Sequence, residues 1–241
     1  MKVLIHTLVW ERPKATELTY SGFDRIQERL SEAGIDSEVL ITSSEPDHTA
    51  RAILRGYNVF EYKNLPVAEK YDAAMHETLK YDWDFYMGMD SNNLLSDDYI
   101  KRWIEKSNAV ENRFFGSSSF IAIDSSREYM FKYNTKSVNR LSNVGRGIRR
   151  DVWERLHKVG SFVSDKTRND RLDTMTNYMA KKYVLGRKGY RHSICKGCDG
   201  VLDFKSESDI HGDEAHVPTS RRLDIDIPFL LKQFPELQYW I

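Results

Sequence analysis

The first nine positions carry a nearly unbroken apolar run (Val3, Leu4, Ile5, Leu8, Val9), the pattern of a strand buried on both faces, and predict a strand over Lys2–Val9. Leu18 to Ala33 then changes to helical spacing and closes on Gly34, a residue suited to the left-handed conformation that ends many helices. Glu38–Thr42 reads as a second strand, Asp47–Leu54 as a short helix with Asp47 as its cap, and Tyr57–Tyr62 as a third strand. Residues 67–79 place Val67, Tyr71, Ala74, Met75, Thr78 and Leu79 on one helical face, with Pro66 in the first turn. Asp84–Asp90 follows as an aromatic and apolar strand, and Ser96 caps a helix over Asp97–Lys106. Strands alternating with helices predict an α/β fold: a mainly parallel, Rossmann-like sheet with helices on both faces.

Past residue 110 the rhythm changes. Arg113–Asp124 reads as one or two strands broken by Gly116 and three serines, followed by a basic loop. Helices are expected near Asp151–His157 and Asp170–Tyr183, short strands at Tyr190–Ile194 and Val201–Lys205, and a last helix around Ile227–Phe234. No internal repeat or low-complexity linker divides the chain. The expectation is one domain over residues 1–241, in which a doubly wound half (1–110) and a grafted second half (111–241) share a core.

Composition narrows the class. With 40% apolar, 12% aromatic and 30% charged residues in 241, the chain holds too much hydrophobic material for a disordered protein. No signal peptide is read, and no run approaches the ~20 apolar residues that span a bilayer. Two cysteines cannot build a disulfide framework, so a reducing cytoplasm is the expected compartment. The net charge of zero conceals an asymmetry: residues 1–120 carry 14 Lys and Arg against 20 Asp and Glu, whereas 127–196 carry 18 basic and 6 acidic side chains. That stretch suits an acidic ligand, or an exposed helix dressed for solubility.

In open α/β sheets ligands bind beyond the carboxyl ends of the strands, here the loops Thr7–Arg12, Ser43–Asp47 and Asp90–Asn93. The last is the most informative. A strand ending in Met87-Gly88-Met89 delivers Asp90-Ser91-Asn92-Asn93, with oxygen ligands two positions apart at Asp90 and Asn92. Mg²⁺ or Mn²⁺ held by one or two side chains, with water and phosphate completing the shell, fits such a pair. An Asx turn at a strand end would use the same residues.

The run Asn64 to Ala74, the segment Asp82 to Leu95, and Asp98-Tyr99-Ile100 resemble the core of the GT-A-fold glycosyltransferases, and more narrowly the family 2-like inverting members, small phage-type transferases among them. The resemblance implies a nucleotide-sugar donor. It matches Lys70 to a basic residue that helps hold the diphosphate, and Asp90-Ser91-Asn92 to the D-x-D that holds metal and diphosphate, with an amide in place of the second carboxylate. It further places Thr7 and Arg12, and more weakly Ser43 and Ser44, against the nucleotide. Gly145-Arg146-Gly147 resembles the segment beneath the donor sugar, where Arg146 faces the diphosphate or an acidic acceptor. The general base expected of this family is an acidic residue at a helix start in the second half: Asp173 is favoured, with Asp170 the other candidate and either able to act as a cap. His211 resembles a further metal ligand found past the last core strand. The acceptor that fits the basic stretch is an acidic polymer, including hydroxylated bases in DNA, which makes DNA modification one expected role.

The cysteines raise a rival. Cys195-Lys-Gly-Cys198, twelve residues, His211, four residues and His216 has the spacing of a Cys₂His₂ zinc site; a free thiol pair and a redox pair also fit Cys195 and Cys198. His211 cannot easily serve both metals, and a solvated loop histidine is its third reading. A structural zinc would suit a nucleic-acid-binding module; a degenerate transferase that binds nucleotide without turnover is a further non-enzymatic reading. A sugar-phosphate nucleotidyltransferase is the weaker alternative, because Trp10-Glu11-Arg12-Pro13-Lys14 lacks the glycines its first loop uses.

Overall fold

The computed structural model describes residues 1–117, 119–124, 129–134, 143–168, 172–186, 200–205 and 224–239. A six-stranded sheet runs in the order β3-β2-β1-β4-β9-β6. Its strands are β1 (Lys2–Val9), β2 (Asp36–Ser43), β3 (Asn58–Glu61), β4 (Phe85–Asp90), β6 (Phe114–Phe115) and β9 (Arg146–Arg149). The first four are parallel; β9 is antiparallel to both β4 and β6. A four-stranded sheet has the order β5-β10-β7-β8, from β5 (Asn93–Leu95), β7 (Ser119–Asp124), β8 (Tyr129–Asn134) and β10 (Val201–Lys205). Each sheet draws on residues from both sides of position 110, since β6 and β9 extend the first and β5 enters the second.

Alternation along β1 sends Val3, Ile5 and Val9 to one side and Leu4 to the other. The first side packs on α1 (Pro13–Glu32), α2 (Pro46–Leu54) and α4 (Asp97–Ser107) through Tyr20, Phe23, Ala52, Ile100 and Trp103. The second packs on α3 (Val67–Glu77), α5 (Arg150–Val159) and α6 (Leu172–Ala180) through Tyr71, Met75, Trp153, Leu156 and Met175. Helices therefore cover both faces, and burial of these large side chains, not helix propensity, is what holds them there. Under the second sheet, Leu94, Ile121 and Leu202 meet Leu18 of α1 and Leu230 of α7 (Ile227–Gln233). No helix among the described residues is long and apolar enough to cross a membrane.

Several boundaries differ from expectation. Helix α1 begins five residues before Leu18, at Pro13, because its first turns bury Ala15, Thr16 and Thr19, which give no strong apolar signal. Asp47 is not the cap of α2: that position is Glu45, and Asp47 lies in the first turn, where its charge favours the helix dipole. Pro66 is likewise the N-cap of α3, one position before the first turn. Ser96 does cap α4, its hydroxyl accepting from the Tyr99 N–H at 3.2 Å. The expected basic loop after residue 124 contains β8, and Asn93, expected to end the loop Asp90–Asn93, begins β5. The expected strand Tyr190–Ile194 lies outside the described residues.

Candidate functional site

The C-terminal ends of β1, β2 and β4 lie side by side, with Leu8 in register with both Thr42 and Asp90. After β1 the chain turns through Glu11 and Arg12, both with φ 52°, two consecutive non-glycine residues in the left-handed region, a strain of about 1–3 kcal/mol each that tends to collect at ligand sites. The turn is braced from the start of α2: the Glu11 N–H donates to Glu45 Oε2 at 3.3 Å, and the buried ring of His48 places Nε2 2.9 Å from the Glu11 carbonyl. Arg12, at the N-cap of α1, and the buried Thr7 both belong to this mouth. Ser43 spends its hydroxyl locally, donating to the Glu45 carbonyl at 2.9 Å and accepting from the Glu45 N–H.

Lys70 reaches under the same loops. Only 1% exposed, its Nζ donates to the Val9 carbonyl (2.8 Å), Ser44 Oγ (3.1 Å) and Asn64 Oδ1 (3.4 Å), which ties together the ends of β1 and β2 and the turn before α3. Burial lowers its pKa to about 8.

Asp90 ends β4 with its carboxylate exposed, and Oδ1 accepts from Asn143 Nδ2 at 2.8 Å. From there a buried polar chain runs inward. Asn143 Oδ1 accepts from Arg146 Nη2 at 2.5 Å, and Arg146 Nη1 donates to Asn177 Oδ1 on α6 at 3.1 Å. The Arg146 guanidinium is wholly buried and lies over the Phe114 ring at 5.9 Å. It thus sits behind Asp90 and joins β9 to α6, one helical turn beyond Asp173. Close approach makes this possible: Gly145 N donates to the Gly88 carbonyl at 2.8 Å, and a Cβ on Gly88 would stand 2.8 Å from Asn143 Oδ1.

Ser91, Asn92 and Asn93 turn inward from Asp90 and are buried. Asn92 Nδ2 donates to Asp203 Oδ1 at 2.8 Å, and Asn93 Nδ2 donates to the same oxygen at 3.2 Å and to the Leu202 carbonyl at 3.3 Å. Asp203, itself 8% exposed, is carried by β10 directly opposite Asn93.

The donor set at the mouth is a carboxylate and amide oxygens, chemistry that suits a hard divalent cation. Among the described residues no group of three or more His, Cys, Asp or Glu side chains could hold a metal ion. A cation here would take Asp90 and Asn92 and complete its shell with phosphate and water. Asp173 is the second residue of α6, whereas Asp170, Cys195, Cys198, His211 and His216 lie outside the described residues. Sequence reasoning missed the roles of Asn143 and Asp203, and read Asn93 only as a member of the loop Asp90–Asn93. Only Asp203 left a trace, as the one charge inside the apolar strand Val201–Phe204.

No family model and no curated protein matches this chain. Solved structures do. TarS 1–349 from S. aureus superposes with a TM-score of 0.57 at 12% identity, over 85% of this chain and 60% of that one. Its complex with UDP gives 0.53 at 12% identity, over 86% and 61%. The mannosyltransferase PcManGT from Pyrobaculum calidifontis, in complex with GDP-Man and Mn²⁺, gives 0.52 at 11% identity, over 87% and 58%. The chain spans about three fifths of the length of these three structures. Together with the parallel sheet, the antiparallel β9 and helices on both faces, these superpositions establish that the chain has the GT-A fold.

Proposed function

We propose that this chain is a glycosyltransferase that moves a sugar from a nucleoside diphosphate donor to an acceptor hydroxyl by direct, inverting displacement. The observation that carries the reading is the exposed Asp90 carboxylate at the end of β4, steadied by Asn143 beside the mouths of β1 and β2. A ligand laid across those strand ends has its nucleoside over Thr7, Arg12 and Ser43 and its diphosphate toward Asp90 and Ser91. Neighbours of the same fold were solved with UDP and with GDP-Man and Mn²⁺, which supports this donor class and a divalent cation here.

Asp90 and Asn92 would hold that cation, Mn²⁺ or Mg²⁺, with His211 as a further ligand. When bound, it neutralises charge gathering on the departing diphosphate. Lys70 and Arg146, both buried, add fixed positive potential from beneath and hold the loops in place. Asp173, or Asp170 in its stead, acts as general base: the acceptor oxygen attacks the anomeric carbon, the bond to the diphosphate breaks, the nucleoside diphosphate leaves with the electron pair, and the hydroxyl proton passes to the carboxylate. The excess of basic residues over 127–196 favours an acidic polymer as acceptor, including hydroxyl-bearing bases in DNA.

Thermal unfolding against a panel of nucleoside diphosphates, each with and without Mn²⁺, tests this reading, because a ligand bound only by the native state raises the midpoint. The expected result is a metal-dependent rise with one nucleotide that Asp90→Ala abolishes. No rise with any nucleotide overturns the function and leaves the fold.

A further inference from the structure

We propose that His48 is a positioning residue for donor binding: its buried ring holds the Glu11–Arg12 turn in the strained form that carries Arg12 to the nucleotide. The inference rests on the reading that this mouth takes a nucleoside diphosphate donor.

Nothing local favours the turn. Glu11 and Arg12 both have φ 52°, a region that residues with a Cβ avoid. Arg12 is also the N-cap of α1, where an extended Ser, Thr, Asp or Asn ordinarily accepts from the helix. An arginine side chain has only donors, and Arg12 makes no side-chain cap. Sequence and backbone are thus both poor for starting a helix at this point, and such conformations persist only where the surroundings over-determine them.

The surroundings are Lys70, the end of β2 and the first turn of α2. Lys70 Nζ donates to the Val9 carbonyl at 2.8 Å, the Glu11 N–H donates to Glu45 Oε2 at 3.3 Å, and His48 Nε2 lies 2.9 Å from the Glu11 carbonyl. A carbonyl only accepts, so Nε2 carries the proton. The same nitrogen is 3.3 Å from Glu45 Oε2, so the imidazole and the carboxylate together grip Glu11 by both its backbone groups. Glu45 is fixed in turn by the Ser43 hydroxyl, which bonds its N–H and its carbonyl. His48 is 2% exposed, and its Nδ1 is buried with no hydrogen-bond partner among the described residues. A leucine would fill that space without an orphaned nitrogen. Packing alone therefore does not call for histidine here; the Nε2–H does.

The test measures binding of UDP, GDP, CDP, ADP and dTDP, each with Mn²⁺, to the full chain by isothermal titration calorimetry, alongside thermal unfolding. His48→Leu fills the space and has no N–H, whereas His48→Gln offers an amide N–H near the place of Nε2. The leucine variant is expected to bind its nucleotide about 5–150-fold more weakly, the equivalent of the strain of one left-handed residue no longer held, and the glutamine variant to keep most of the affinity. Glycine takes a positive φ without strain, and the Glu11 side chain is exposed. In a Glu11→Gly background His48→Leu is therefore expected to cost several-fold less affinity. Glu45→Ala removes the other half of the grip from a partly exposed side chain; it is expected to weaken binding in the same direction and serves where the leucine variant does not fold. A merely structural role for His48 would lower the melting midpoint and leave affinity unchanged. Unchanged affinity in the leucine variant, or an equal loss with and without Glu11→Gly, overturns the role of His48 and leaves the functional reading standing. No binding of any of these nucleotides by the wild type overturns the donor reading and this assignment with it.

Discussion

His6 sits at the centre of β1, wholly buried, with Nδ1 2.9 Å from the Tyr86 hydroxyl and Nε2 2.9 Å from Thr42 Oγ1. One ring nitrogen donates and the other accepts, so the neutral imidazole satisfies both neighbours. Burial first, and the charge of Lys70 second, lower its pKa from 6.5 to about 3. In the unfolded chain it titrates normally, so between those values the unfolded state binds the extra proton. Stability is therefore full above pH 6.5 and is lost as pH falls toward 3, by about 1.4 kcal/mol per pH unit within the window. Between pH 7 and pH 4.5 the loss from this one residue is about 2.7 kcal/mol, a large part of the ~5–15 kcal/mol that holds an ordinary domain together. His6→Gln keeps a donor and an acceptor in place and does not titrate. Urea unfolding of both proteins at about pH 7, 5.5 and 4.5, followed by tryptophan fluorescence, isolates His6, because every other group contributes equally and cancels in the difference. The wild type should lose about 2.7 kcal/mol relative to the variant over that range. A difference that stays constant with pH would refute the reasoning.

Arg146→Met removes the guanidinium on which Asn143 Oδ1 and Asn177 Oδ1 rely; a loss of about 1–3 kcal/mol for each amide oxygen left unpaired is expected in chemical denaturation, and a total change under about 1 kcal/mol would show that the buried chain carries no structural weight. If the acceptor is duplex DNA gripped through three phosphates, its KM should rise about 40-fold between 50 and 200 mM KCl, and a flat salt profile in steady-state assays removes a polyanionic acceptor.

Legibility in the sequence followed locality. Strands β1 and β10 were readable at their observed limits because each is a short apolar run between polar residues. The three-residue β5 is too short to show a period, and the lysine in β8 let it pass for basic loop. At the site, Asp90 was legible since a strand pattern ends on it. Arg146 was expected to face a ligand, and its burial comes from partners that no local pattern names: Asn143, Asn177 and the ring of Phe114. Asn143 and Asp203 are 53 and 110 positions from Asp90 and Asn93, so their roles follow from strand register, which single-sequence periodicity does not encode.

The pairing of β10 with β5 and β7 has a consequence for the order of events at the ribosome. Asn93 and Asp203 are separated by 110 residues, which at a synthesis rate of about 5–20 residues per second is a delay of about 6–22 s. The parallel strands β1 to β4 precede Asn93 in the chain and can pair during that interval, while the amides at 92 and 93 still lack their carboxylate. A nascent or prematurely terminated chain thus forms the parallel strands of the first sheet before the second sheet closes, and the buried carboxylate shared by the amides at 92 and 93 arrives only with β10.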